Sequence, residues 1–171
     1  GPSTATGPLR RVEGSPPVPD PDEVLIEVHA CAVCRTDLQL VEGDLDARRI
    51  PIVPGHQVVG TVVERGSTVV DPAIGTRVGV AWIAATCGAC RFCRSGRENL
   101  CEGARFTGWD RDGGYGTHAT ARADFVHPLP DAFDDIDAAP LLCGGAIGYR
   151  SLRVAGIGPD SAGKALGLYG F

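Results

Sequence analysis

The chain has 171 residues, and the first thing to note is what they lack. There is no methionine, there are only two tryptophans, and aromatic residues make up 6% of the whole. No apolar run approaches the ~20 residues that a membrane-spanning helix needs, and no basic-then-apolar leader of the secretory kind opens the chain. Positive charge is in short supply as well. Sixteen Lys and Arg face 21 Asp and Glu, for a formal net charge of −5. That balance argues against a surface built for nucleic acid or for an anionic membrane. Without methionine, residue 1 is not expected to be a natural start, and residues 164–171 read as a strand that stops in mid-motif. The expectation is a fragment of something longer.

What is present is a globular composition, 43% hydrophobic and 22% charged. The length suits one domain with at most the stub of a second, able to bury roughly 70% of its unfolded surface. Glycine (24) and proline (13) are abundant, which favours turns and short strands over long helices. Seven cysteines are an odd count for a disulfide framework. With no leader, a reduced, cytoplasmic setting is expected, where clustered cysteines favour metal.

Residues 1–23 read as loop. Alternating β-branched runs predict strands over 24–28, 58–63, 77–82 and 117–121, with turns at 65–67 and 71–75. Residues 84–108, rich in Cys, Gly and Arg, have little periodicity and read as a lobe organised by something other than an apolar core. Residues 134–153 have the best helical prospects, with Asp134 or Asp135 as N-cap and a break or kink at Pro140 and Gly144-Gly145. The pattern is many short strands and one late helix, a compact barrel-like β domain.

Cys87, Cys90, Cys93 and Cys101 form C-x2-C-x2-C-x7-C. Zinc takes four soft ligands at tetrahedral angles, and two-residue gaps let a tight turn aim successive thiolates at one point. Gly88 and Gly96 ease such a turn, and Arg91, Arg94 and Arg97 would offset the charge of a zinc tetrathiolate. The competing readings are free or disulfide-paired cysteines and a zinc-ribbon nucleic-acid module, the latter at odds with the acidic balance. Cys34, His56 and Cys143 remain as further ligands. Their spacing alone is a weak signal, since they meet only if the fold brings them together, although two cysteines and a histidine are a known catalytic zinc set.

The string Cys-Ala-Val-Cys-Arg-Thr-Asp at 31–37, then Glu42-Gly43-Asp44, Pro54-Gly55-His56, the tetracysteine lobe, Asp112-Gly-Gly-Tyr115, Pro140-Leu-Leu-Cys143 and Gly167-Leu-Tyr-Gly170-Phe171 follow one another in order. This series resembles the zinc-dependent medium-chain alcohol dehydrogenases from about Val24 to Phe171. The resemblance implies a mainly β, α+β fold with a few helices. That fold is a partly open GroES-like barrel over residues 1–145 with a structural zinc lobe. Residues 146–171 then supply a linking helix and the first strand of an incomplete Rossmann domain. It implies two zinc ions, a catalytic one on Cys34, His56 and Cys143 and a structural one on Cys87, Cys90, Cys93 and Cys101. It implies that Asp37 accepts the second ring N–H of His56, that Thr36 hydrogen-bonds the substrate hydroxyl and receives its proton, and that Arg35 faces the cofactor's pyrophosphate. Gly170 would be the first glycine of the phosphate-binding turn.

The implied reaction is oxidation of an alcohol to aldehyde or ketone, with NAD or NADP taking the hydride. The parent would be a homodimer or homotetramer. The fragment alone would turn over little, since most of the dinucleotide fingerprint lies past Phe171. Two departures stand out: Gln57 where the family usually has glutamate, and Gln39 where many members have a proton-relaying histidine. Cys31 reads as a buried thiol beside the site, with redox pairing to Cys34 as the alternative. His29, His118 and His127 read as ordinary histidines. Trp82, and less so Trp109, are candidates for the wall of the substrate pocket.

Overall fold

A computed structural model describes residues 9–167. The expected strand at the C-terminal end and the glycine at Gly170 fall on residues 168–171 and lie outside the described residues, as do residues 1–8. The architecture is the expected one: a half-open, mostly antiparallel barrel with few helices.

Among the described residues seven strands form in chain order, β1 (Glu23–Cys31), β2 (Val58–Arg65), β3 (Arg77–Val80), β4 (Ile83–Ala85), β5 (Arg105–Phe106), β6 (His118–Arg122) and β7 (Val126–Pro128). Five of them make one sheet in the order β6-β1-β2-β3-β7, and β4 and β5 pair apart from it. Every pairing is antiparallel. The register of β1 against β2 shifts between Leu25 and Ile26 and again between Val28 and Ala30. Such bulges add local twist, which curls a sheet towards a barrel. The core gathers on this sheet: Val24, Ile26, Val58, Val62, Val78, Val80, Ala121 and Val126 are all buried together.

The observed strands refine the sequence reading. The run expected over 77–82 ends at Val80, and the chain turns at Trp82 into β4. The strand expected at 117–121 starts one residue later. β5 and β7, two and three residues long, are too short for a periodic signal.

Three α-helices are present among the described residues, α1 (Arg35–Glu42), α2 (Asp135–Ala138) and α3 (Gly144–Val154). Helix α1 was not expected. Its signals are local: Asp37 Oδ2 accepts from the amide of Cys34, the residue before the helix, at 2.9 Å, and Gly43 ends it at φ 84°. Asp134 caps α2 as expected, taking the Asp137 amide at 2.8 Å. The break after it differs from the expectation. Pro140 sits inside a 3-10 turn over Ala139–Leu142, the interruption falls on Cys143, and Gly144-Gly145 begin α3.

A second small core joins α2 and that turn to the sheet. Ala138 and Ala139 are buried with Val59, and Leu142 packs against them. An ionic latch reinforces it. Asp135 accepts from Arg77 Nε on β3 at 2.7 Å and lies 3.0 Å from His29 Nδ1 on β1. Arg77 also donates to the carbonyls of Pro130 and Phe133. The Asp135 carboxyl lies below the usual carboxylate range, chiefly through the bond from Arg77, which outweighs the opposing effect of burial, with His29 adding to the lowering. Together these contacts fix the segment that carries Cys143. Among the described residues no helix is long and apolar enough to cross a membrane.

Candidate metal centres

The barrel centre is assembled from three distant places. Cys34 precedes α1, His56 precedes β2, and Cys143 sits at the break before α3. Their ligand atoms lie within 4.8 Å of one another, and the two sulfurs are 4.0 Å apart across 109 residues. Two thiolates on one zinc at tetrahedral angles, each about 2.3 Å from the metal, stand about 3.8 Å apart. The donor set and its spacing therefore fit zinc.

Asp37 organises this centre from behind. Its Oδ1 accepts from the Gly55 amide and faces His56 Nδ1, both at 3.1 Å, while Oδ2 holds the Cys34 amide. A carboxylate only accepts, so Nδ1 of His56 carries the proton and Nε2 is left free for a metal. Both side chains are buried. Burial alone would raise the Asp37 carboxyl, but the bonds from His56 and the Cys34 amide outweigh it and hold the group below the usual range. Burial would likewise depress His56, and the Asp37 carboxylate reverses this and raises it.

The sulfurs divide in the same way. Burial works against the Cys34 thiolate, yet the amide and hydroxyl of Thr36 and the charge of His56 bring its pKa below the ordinary thiol value. Cys143 is pushed up to about 11 by burial and then by the negative charge of Cys34. Two like charges in one site oppose each other, and a cation between the two sulfurs would relieve that opposition. Thr36 Oγ1 lies 3.9 Å from the Cys34 sulfur.

Trp82 walls one side of the centre, edge-on to the His56 ring at 4.8 Å. It stacks on Phe106 at 4.8 Å and on Trp109 at 6.0 Å. Arg48 lies 3.7 Å over the Trp109 ring and pairs with Asp110, whose carboxylate also accepts from the Phe106 amide. No periodic sign of this ladder exists in the sequence, because Arg48, Trp82 and the Phe106–Trp109 turn come from three separate places in the chain.

Gln57 is buried, and its amide donates to the Ala32 carbonyl at 3.1 Å. An ionised glutamate could not make that bond, so at this position the glutamine braces the loop leading to Cys34. Cys31, read from the sequence as a buried thiol, is half-buried, and that burial pushes it up to about 11; no cysteine among those described is disulfide-bonded. His29, His118 and His127 join no ligand cluster among the described residues. Arg35 is exposed and pairs with Glu42 at 3.2 Å and Asp44 at 3.5 Å.

The second centre is local. Cys87, Cys90, Cys93 and Cys101 converge within the same 4.8 Å limit. The sulfurs of Cys87 and Cys93 are 3.9 Å apart and those of Cys90 and Cys93 3.5 Å, again close to the tetrathiolate spacing. Gly88 and Gly96 both adopt φ 67°, the left-handed turn expected of them. Backbone amides point at the sulfurs: Cys90 N at Cys87 Sγ, Cys93 N at Cys90 Sγ and Cys87 N at Cys101 Sγ, at 3.4–3.5 Å. The amides of Ala89 and Cys90, followed by the neighbouring thiols, draw Cys87 down to about 6. A thiol poised as thiolate is a metal ligand in waiting. Arg91 and Arg97 lie over the Phe92 ring beside the cluster.

With the geometry in place, comparison with known proteins is informative. The model of the alcohol dehydrogenase GroES-like domain matches residues 20–131. "Probable alcohol dehydrogenase AdhA" of Mycobacterium tuberculosis is 53% identical over 171 residues, covering 97% of this chain and 49% of its own length. An alcohol dehydrogenase of Geobacillus stearothermophilus is 40% identical over 86% of this chain and 43% of its own. Among solved structures, a cobalt- and zinc-bound thermostable alcohol dehydrogenase from Pyrobaculum aerophilum superposes with a TM-score of 0.82 at 32% identity, over 90% of this chain and 48% of that one. CAD from Helicobacter pylori, complexed with NADP(H), reaches 0.74 at 27% identity, over 80% and 42%. The chain spans about half the length of the curated relatives it matches.

Proposed function

We propose a function from a plain premise: the chain belongs to the zinc-dependent medium-chain alcohol dehydrogenase family. The parent protein oxidises an alcohol to an aldehyde or ketone with NAD or NADP as hydride acceptor. This chain is its zinc-holding catalytic domain over residues 1–145, followed by the linking helix and the start of the nucleotide-binding domain over 146–171. The observation that carries the reading is the convergence of Cys34, His56 and Cys143 with the Asp37 carboxylate behind the histidine.

Those three residues would hold a catalytic zinc, and Cys87, Cys90, Cys93 and Cys101 a structural one. Zinc, when bound, supplies Lewis-acid polarisation of a substrate oxygen. The rest falls to the chain's own groups. Asp37 fixes the His56 tautomer so that Nε2 is left free to bind a metal. Thr36, beside the Cys34 sulfur, takes the proton of the substrate hydroxyl. Arg35 is held only by exposed ion pairs, which are weak, and it is available to the pyrophosphate of a dinucleotide, with Gly170 as the first glycine of the turn. Trp82 and its stacked partners exclude water and favour an apolar substrate face. Gln39 cannot relay a proton at neutral pH, so proton release runs through water or a cofactor ribose hydroxyl. The NADP(H) complex of the Helicobacter pylori neighbour supports a nicotinamide cofactor. The parent is a cytoplasmic homodimer or homotetramer with no nucleic-acid or membrane partner.

The test is alcohol-dependent NAD(P) reduction by the full-length protein. Turnover that disappears in Cys143→Ser supports the reading, and no turnover with any alcohol contradicts it. A second reading, a zinc-stabilised scaffold without catalysis, draws on Gln57, whose amide is committed to bracing the Ala32 carbonyl. An inert full-length protein carrying both zinc ions would favour that reading.

A further inference from the structure

Tyr115 stands beside the barrel centre with a hydroxyl that nothing above employs. Three backbone bonds hold its segment against the residues that lead into His56: Gly113 N to Val53 O at 2.7 Å, Gly114 N to Gly55 O at 2.8 Å and Tyr115 N to Pro54 O at 3.0 Å. Its ring rests on Gly55, whose φ is 96° and where a Cβ would come within 2.5 Å of Tyr115 Cδ1. The ring thus fills the space that any other residue at 55 would occupy. Its place is fixed relative to the neighbouring ligand His56.

The hydroxyl is buried and has no hydrogen-bond partner among the described residues. A hydroxyl in that state has given up its bonds to water for nothing, and buried tyrosines normally find a partner. Phenylalanine would fill the same space without the loss. Of the groups that act on this hydroxyl, the Asp37 carboxylate is the strong acceptor. Asp37 Oδ1 already takes Gly55 N and His56 Nδ1, and Oδ2 takes Cys34 N. A carboxylate has about four acceptor positions. The fourth, on Oδ2, is not used by any of those three donors.

We propose that Tyr115 is a positioning residue for the metal centre, its hydroxyl donating to the open position of Asp37 and so fixing the carboxylate that orients His56. The proposal rests on the reading of Cys34, His56 and Cys143 as a zinc site. It extends the chain of support by one step: metal ligand, carboxylate, phenol. Outer groups of this kind tune metal affinity through the ligand they hold.

Cobalt(II) titration of the full-length protein tests this, with visible absorption separating the barrel site from the tetracysteine site. Four proteins are compared: unaltered, Tyr115→Phe, Asp37→Asn and the double variant. Tyr115→Phe keeps the ring on Gly55, so thermal stability is expected to hold. Its affinity for cobalt at the barrel site should fall about 10-fold, with a changed visible band there and none at the tetracysteine site. In the Asp37→Asn background the same substitution should have no further effect. Unchanged affinity and spectrum in Tyr115→Phe would overturn the proposal, as would a loss that persists undiminished with Asp37→Asn. If the unaltered protein takes up cobalt only at the four cysteines, the zinc-site reading itself fails and the role of Tyr115 falls with it.

Discussion

The two cysteine-rich centres of this chain are built in opposite ways. The lobe draws its four cysteines from one short stretch, leaves Cys87 exposed and Cys90 and Cys93 half-buried, and has no cluster of buried apolar residues of its own among those described. The barrel centre gathers three ligands from across the chain, each set by a different element of a packed sheet. On the proposed reading a metal would organise the fold in the lobe, whereas in the barrel the fold would organise the metal. This difference should appear as different responses to the loss of a ligand.

The largest effect is expected in the lobe. Cys93→Ser removes a ligand on which two neighbouring sulfurs converge. Structural zinc contributes on the order of 10 kcal/mol in small zinc peptides. Hydrogen exchange should show amides 86–104 unprotected, with those of β1 and β2 retained. Full protection of the lobe in this variant would break the comparison. In the barrel, Asp37→Asn should weaken the metal by about 10- to 100-fold without unfolding the sheet. The check is chelator competition alongside circular dichroism.

A smaller effect is expected from Gln57→Glu. Its carboxylate meets the Ala32 carbonyl with no proton to donate, at a cost of about 1–3 kcal/mol, measurable in urea. The smallest comes from the latch. The Asp135 carboxyl is depressed in the folded chain, so its contribution is present above the ordinary carboxylate pKa of about 3.9. It is lost as pH falls through the folded value. Asp135 is about one-third exposed, so solvent screening holds the contribution to about 1 kcal/mol or less. Asp135→Asn should be less stable than the unaltered protein at pH 7, and the two should converge as acidification carries the pH below the depressed folded value. A gap that stays constant across this range would assign the effect to packing.

The same contrast governs what could be read from the sequence. The four clustered cysteines announce their centre because the ligands are neighbours in the chain, and Gly88 and Gly96 fall where the turn needs them. Spacing alone left Cys34, His56 and Cys143 a weak signal, since only the closed sheet brings them together, and it was resemblance to a family that joined them. The strands at β1, β2 and β3 were legible from β-branched alternation. Helix α1 was not, because its eight residues leave little room for a helical period and its start depends on a side chain, Asp37, that also serves the metal site. The aromatic ladder and the buried Tyr115 hydroxyl depend on tertiary contacts and have no signature in local pattern.

The most direct test of the account is the metal content of the purified protein. Two zinc ions per chain are predicted, one lost in a Cys143→Ser variant and the other in Cys93→Ser. One zinc or none in the unaltered protein would contradict it.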